Sequence, residues 1–181
     1  MQNLQRESIV QALADALRSR GSWTGETHVQ KTMYFLQELL GVPTGFEFIL
    51  YKHGPYSFDL GDALSSMMAD GFLEWQPREP YGPSIIPGPA SERLKKLFPK
   101  TREKYKPQIN FVADQLAKKD VRELERIATA LLVSKKEKAG VRERANQIHQ
   151  LKPHVSLPDA ISAVEELDRI SEEVKSAQLF V

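Results

Sequence analysis

Residues 28–57 read HVQKTMYFLQELLGVPTGFEFILYKHGPYS, and the period of this stretch changes halfway. Val29, Met33, Leu36 and Leu40 recur at i, i+4, i+7 and i+11, one face of an amphipathic helix. Phe46, Phe48 and Leu50 alternate with Glu47, Ile49 and Tyr51 as in a short strand. Gly41, Pro43 and Gly45 break the helical pattern, so a helix is expected over residues 24–41 and a strand over 46–51. Gly54-Pro55 is expected to stop that strand, and Ser57 to cap a third helix.

Upstream, Ile9, Leu13, Ala16 and Leu17 form one stripe of a first helix over residues 4–20, ended by Gly21, with Trp23 as an anchor at the corner. Downstream, Leu60, Ala63, Leu64 and Met67 face inward from a helix over 57–70 that Gly71 closes. Phe72-Leu73-Glu74-Trp75 and Ser84-Ile85-Ile86, around Pro77, Pro80 and Gly82, make a β-hairpin. Helices followed by a hairpin are the order of a winged helix-turn-helix. The remainder reads as helical. A short segment over 91–98 ends at Pro99, and Pro107 is expected in the first turn of a helix to about residue 118. Val121, Leu124, Ile127 or Ala128, and Leu131 mark another helix; Val141, Ala145, Ile148 and Leu151 mark one closed by Pro153. Ser156 with Asp159 has the form of a capping box before the stripe Ile161, Val164, Leu167, Ile170 and Val174. The expected fold is mainly α with a small β component (α+β). A winged helix-turn-helix-like N-terminal lobe (1–90) packs on a C-terminal helical lobe (91–181), the two forming one unit.

The pairing of QKTMYFLQ with YKHGPYS resembles the motif of the Panacea (SocA-like antitoxin) domain and its YwgA-like relatives, in which a K-x-x-Y-F helix precedes a strand ending in a G-P-Y/V turn. Lys31, Tyr34, Phe35, Tyr51, Gly54, Pro55 and Tyr56 fit it, and His53-Gly54-Pro55-Tyr56-Ser57 is closest to the YwgA-like branch. The likeness covers roughly residues 1–90, and Leu151-Lys152-Pro153-His154 is a further similar segment. The resemblance implies a bacterial, non-enzymatic protein-binding module that restrains a toxin or phage-defence effector encoded nearby.

The 181 residues contain no cysteine, which excludes disulfides and thiolate metal sites and suits an intracellular, cytoplasmic setting. No run approaches the ~20 apolar residues of a membrane span, and MQNLQRESIV lacks the order of a signal peptide. The net charge of +1 hides an asymmetry. Residues 1–75 carry five basic and nine acidic groups, 76–154 eighteen and nine, and 155–181 two and six, giving −4, +9 and −4. Either the ends fold back over the basic middle, or that middle meets an acidic partner.

The third helix, where a DNA-binding winged helix would read the duplex, has no Lys or Arg and carries Asp59, Asp62 and Asp70. It suits a protein partner, as does the apolar tail Leu179-Phe180-Val181 if it is not docked on the core. The alternative is a nucleic-acid-binding regulator using the segment 93–106. There Arg93, Lys95, Lys96, Lys100, Arg102, Lys104 and Lys106 interleave with Phe98 and Tyr105 for stacking, and Arg122, Arg126, Lys135, Lys136 and Lys138 extend it. The bland reading of that segment is a solvated helix pair with Leu94, Leu97 and Phe98 inward. An enzyme ranks third. His28, His53, His149 and His154 show no metal spacing, so neither metal nor cofactor is expected. His53, Ser57 and Asp59 are the right types for a triad but lack a GxSxG elbow. Lys31 and Tyr34, a turn apart, are expected to approach the polar turn at 52–56, with Tyr34 and Tyr56 burying their rings and hydrogen-bonding its backbone. A recognition pocket built from Lys31, Tyr34, Tyr51, His53, Gly54, Pro55 and Tyr56 is the functional counterpart. The sequence leaves the partner's identity and the oligomeric state open.

Overall fold

Val29, Met33 and Leu36 are fully buried along one side of α2 (Glu26–Glu38), as their spacing requires. The structure, a computed structural model, describes residues 1–136 and 139–181, with the side chain of Lys136 outside that description. Before α2 stands α1 (Asn3–Ser19). After it come β1 (Ile49–Tyr51), β2 (Gly54–Tyr56), α3 (Phe58–Ala69), β3 (Leu73–Arg78) and β4 (Tyr81–Pro87). Then follow α4 (Ser91–Leu97), α5 (Pro99–Leu116), α6 (Val121–Lys136), α7 (Val141–Leu151) and α8 (Leu157–Ser176). The chain is mainly helical with two small antiparallel hairpins, an α-rich α+β fold.

The expected strand over 46–51 forms only from Ile49. Phe46 is withheld from a ladder because the side-chain amide of Gln37 takes both its backbone groups. Gln37 Nε2 donates to the Phe46 carbonyl (2.8 Å), and Phe46 N–H donates to Gln37 Oε1 (2.9 Å). Gly54-Pro55 does not end the sheet but opens β2, which pairs Ile49 with Tyr56 and Tyr51 with Gly54 across a turn at Lys52-His53. Gly54 makes this tight return feasible at φ +83°, where a β-carbon would also press within 3.1 Å of Thr129 Oγ1 on α6. A hairpin therefore stands between α2 and α3, where the sequence reading has a single strand. Ser57 caps α3 as expected, its Oγ accepting from Leu60 N–H at 3.2 Å.

The second hairpin pairs Leu73 with Pro87 and Trp75 with Ile85. Pro99, not Pro107, is the first-turn proline of α5, and Pro107 lies inside that helix. The buried Tyr105, Ile109, Val112, Ala113 and Leu116 continue on one face across it, so packing holds the helix through the missing N–H. Leu97 and Leu151, expected inward, are exposed.

One apolar cluster runs without interruption from Leu13 and Phe35 to Ile109, Leu124 and Val164. It forms because α1 packs on α5, α2 on α5 and α6, and β2 on α6. The tail is docked: Val181 N–H donates to the Leu40 carbonyl (3.1 Å) and Gln108 Nε2 to the Leu179 carbonyl (3.2 Å), while the Phe180 and Val181 side chains stay exposed.

Candidate functional site

Two buried ammonium groups grip the β1–β2 hairpin. Lys31 on α2, 1% exposed, donates to the Pro55 carbonyl at 2.7 Å. Lys152, just past α7, donates to the carbonyls of Tyr51 (2.8 Å) and Lys52 (2.5 Å). Burial pulls the Lys31 ammonium down to about 8, against the attraction of Glu125 and with the repulsion of Lys152. Glu125 on α6, 7% exposed, is the counter-charge: its Oε1 lies 3.4 Å from Lys152 Nζ and 3.4 Å from His154 Nε2, and its Oε2 3.7 Å from His53 Nδ1. A cleft of about 750 Å³ lined by His53, Arg122, Glu125 and His154 opens here. Gln30 completes the frame, its amide donating to the Ser57 carbonyl (2.9 Å) and accepting from Ser57 N–H (3.0 Å).

Of the residues expected to meet at the turn, Lys31, Tyr51, His53, Gly54, Pro55 and Tyr56 do meet. Tyr34 does not reach it: its ring is buried edge-on against Phe48 at 5.0 Å, and burial pushes its hydroxyl well above the usual phenol range. Tyr56 does not bond the turn backbone either. Its hydroxyl donates to Glu26 Oε1 at 2.9 Å, and burial followed by that carboxylate push it up to about 12. Gly61 permits this placement, since a β-carbon there would lie 2.9 Å from the hydroxyl oxygen.

Tyr51, Tyr56 and Phe58 form a triangle of rings with centroids 5.1 to 5.8 Å apart. Tyr51 is 51% and Phe58 54% exposed, so the triangle is open to solvent. Asp59 and Asp62 are exposed on α3 beside it. These aromatic and acidic groups make one continuous surface on a frame fixed by Lys31, Lys152 and Gln30.

Part of the basic segment is used within the molecule. Arg102 donates to the Ser8 carbonyl (2.9 Å) and Gln11 Oε1 (3.2 Å) and pairs with Asp15 (3.6 Å). Lys95 pairs with Glu92 (2.9 Å) and Asp15 (3.4 Å), and Lys106 with Glu103 (3.4 Å). Tyr105 is buried under Lys104 and Phe98 is half-buried against the core, so the expected stacking platforms are not on the surface. Arg93, Lys96, Lys100 and Lys104 remain exposed. Arg126 pairs with Asp159 and Lys135 with Glu38, while Lys138 and the Lys136 side chain lie outside the described residues.

The triad types do not assemble: Ser57 is fully buried with its Oγ capping α3, and Asp59 faces solvent. Among the described residues no group of three His, Cys, Asp or Glu side chains is placed to hold a metal ion, and no helix is long and apolar enough to cross a membrane.

The roles of Gln30, Gln37, Glu125 and Lys152 were not anticipated. Both glutamines stand at the ends of QKTMYFLQ, seven apart on α2, and each clamps a peptide unit downstream. The one available sign of Lys152 was the similar segment Leu151-Lys152-Pro153-His154. No family model matches the chain, and no curated protein matches it.

Proposed function

We propose that this protein is a non-enzymatic, protein-binding module of the Panacea antitoxin kind, which restrains a toxin or phage-defence effector encoded beside it. The observation that carries this reading is the solvent-exposed aromatic triangle Tyr51, Tyr56 and Phe58, continuous with the Lys- and Arg-free face of α3 that bears Asp59 and Asp62. Half-exposed aromatic rings on a rigid support are the usual anchors of protein interfaces, and rigidity lowers the entropy lost on binding. The adjoining carboxylates repel nucleic acid and favour a partner surface with basic residues. The motif residues Lys31, Gly54 and Pro55 then serve the surface by fixing the hairpin that presents it.

Co-expression with the product of the neighbouring gene tests the reading. A stable complex is expected, weakened by Phe58→Ala and by Asp59→Lys with Asp62→Lys while circular dichroism stays unchanged, and the neighbouring product alone is expected to inhibit growth. A neighbouring product that neither co-purifies nor inhibits growth would overturn it. The second reading, a nucleic-acid-binding regulator, draws on the exposed Arg93, Lys96, Lys100 and Lys104 of α4 and α5.

A further inference from the structure

Two cavities flank the first turn of α2, and both are lined by Glu26 and Thr27. The one on the hairpin side, about 380 Å³, has Tyr51, Tyr56 and Phe58 as its aromatic wall. The one on the β3–β4 side, about 270 Å³, has Trp23, Trp75 and Pro83. Glu26 thus lines both aromatic-walled depressions, and its carboxylate meets Tyr56 on the hairpin side. Tyr56 occupies Glu26 Oε1, and Oε2 makes no hydrogen bond among the described residues.

The chemistry that fits a carboxylate set among ring faces is a guanidinium or ammonium group, held by charge-assisted hydrogen bonds and by the negative faces of the rings. The protein already lays a guanidinium on this aromatic surface: Arg78 lies 4.9 Å from the Trp23 ring centroid and 5.7 Å from that of Tyr81. The neighbouring charges are mixed: Arg78 lies over Trp23 and the buried Lys31 ammonium acts with Glu26, while carboxylates stand on the open side of the hairpin cavity. Asp62 acts on the Tyr56 hydroxyl along with Glu26, and Asp59 is one turn away. Lys31, the lysine lining the hairpin-side cavity, is buried with its ammonium committed to Pro55.

Resting on the protein-partner reading above, we infer that this groove receives an extended segment of the partner in which an arginine or lysine is flanked by apolar residues two positions away on each side. In an extended chain the residues i−2, i and i+2 point to one side. The cation then meets Glu26 and the two apolar side chains enter the two aromatic-walled cavities.

The probe is the peptide acetyl-Leu-Ala-Arg-Ala-Leu-amide, titrated into the full chain beside versions with norleucine or glutamate at the centre, with binding followed by NMR shifts of the Tyr51 and Trp75 rings. The arginine peptide is expected to bind saturably, the norleucine peptide about tenfold more weakly, and the glutamate peptide more weakly again. Glu26→Gln keeps an acceptor for Tyr56 and is expected to bring the arginine peptide down to the norleucine level. Trp75→Ala, an exposed position, is expected to weaken all the apolar-flanked peptides. Equal affinity for the three peptides, no saturable binding, or indifference to Glu26→Gln would each overturn the inference. A complex with the neighbouring gene product that is weakened by Asp59→Lys with Asp62→Lys but not by Glu26→Gln would overturn the groove and leave the protein-partner reading intact. Glu26-dependent binding of the arginine peptide without such a complex would keep the groove and remove the antitoxin assignment.

Discussion

Lys31 is a charged side chain in the core, and its surroundings explain how it is tolerated: a carbonyl at 2.7 Å and the Glu125 carboxylate offset part of the desolvation. Its folded pKa, about 8, lies below the ordinary 10.5. Between those values the unfolded chain binds a proton that the folded chain has released, so stability rises with pH there, while below about 8 both states are protonated and the contribution is flat. Urea unfolding of the wild type and Lys31→Met should therefore differ by an amount that shifts toward the wild type between pH 7 and pH 10.5, by up to about 3 kcal/mol. A pH-independent difference would mean that Lys31 is not desolvated as described. The clamp at Gln30 is a second residue-level device. Gln30→Glu retains the acceptor for Ser57 N–H but turns a carboxylate oxygen toward the Ser57 carbonyl, and should cost about 2 to 4 kcal/mol in chemical denaturation, with Gln30→Ala in the same range. The grouping of Lys31 with the turn at 52–56 was legible from the helix spacing and the motif resemblance, whereas Tyr34, a turn further on, packs against Phe48 instead. The bonding partners themselves were not legible, since Lys31 reaches across 24 positions and Lys152 across 100 and 101, and no local pattern encodes a contact at that distance.

At the level of elements, periodicity located the amphipathic helices, and Ser57 and Ser156 cap theirs as expected. What it missed were places where side chains or prolines compete with the backbone ladder. The alternation over 46–51 looked like a strand, but Gln37 claims the peptide groups of Phe46, so only Ile49 onward pairs. Gly54-Pro55 reads as a stop in the sequence, but a positive-φ glycine directly after the turn residues is one of the common ways a hairpin returns on itself. Gly54→Ala combines that strain with the contact on Thr129 and should lower stability by about 1 to 3 kcal/mol, read as a drop in melting temperature. Pro107 reads in the sequence as a first-turn proline, the helix position that tolerates one. In the fold it is exposed and costs α5 the bond its N–H would make to the Glu103 carbonyl. Pro107→Ala restores that donor and should raise stability by about 1 to 3 kcal/mol, read as a higher melting temperature with the helix content by circular dichroism retained; an unchanged or lower melting temperature would mean that the proline costs the helix nothing.

Across the whole molecule, the charge asymmetry of the sequence is met in part by pairing between segments. Asp15 from the acidic N-terminal part holds Lys95 and Arg102, and Glu38 holds Lys135. From the acidic C-terminal part, Asp159 holds Arg126, Glu166 holds Lys119 and Asp168 holds Arg144. Segment charges were legible in the sequence, whereas this pairing depends on α1 lying against α5 and α8 against α6 and α7. The same pairing bears on the choice between a protein and a nucleic-acid partner. Within 93–106 the exposed cations Arg93, Lys96, Lys100, Lys104 and Lys106 stand without the surface aromatics that stacking needs, and Lys106 is shared with Glu103. Five phosphate contacts would give a log–log salt slope of about −4.5 on duplex DNA, and fewer would give proportionally less. Titrations with single- and double-stranded DNA and RNA at about 50 mM salt are expected to be flat. A salt-steep affinity that Lys96→Glu with Lys100→Glu abolishes would instead transfer the function of this surface to nucleic-acid binding, since those two side chains are exposed and their reversal leaves the core untouched.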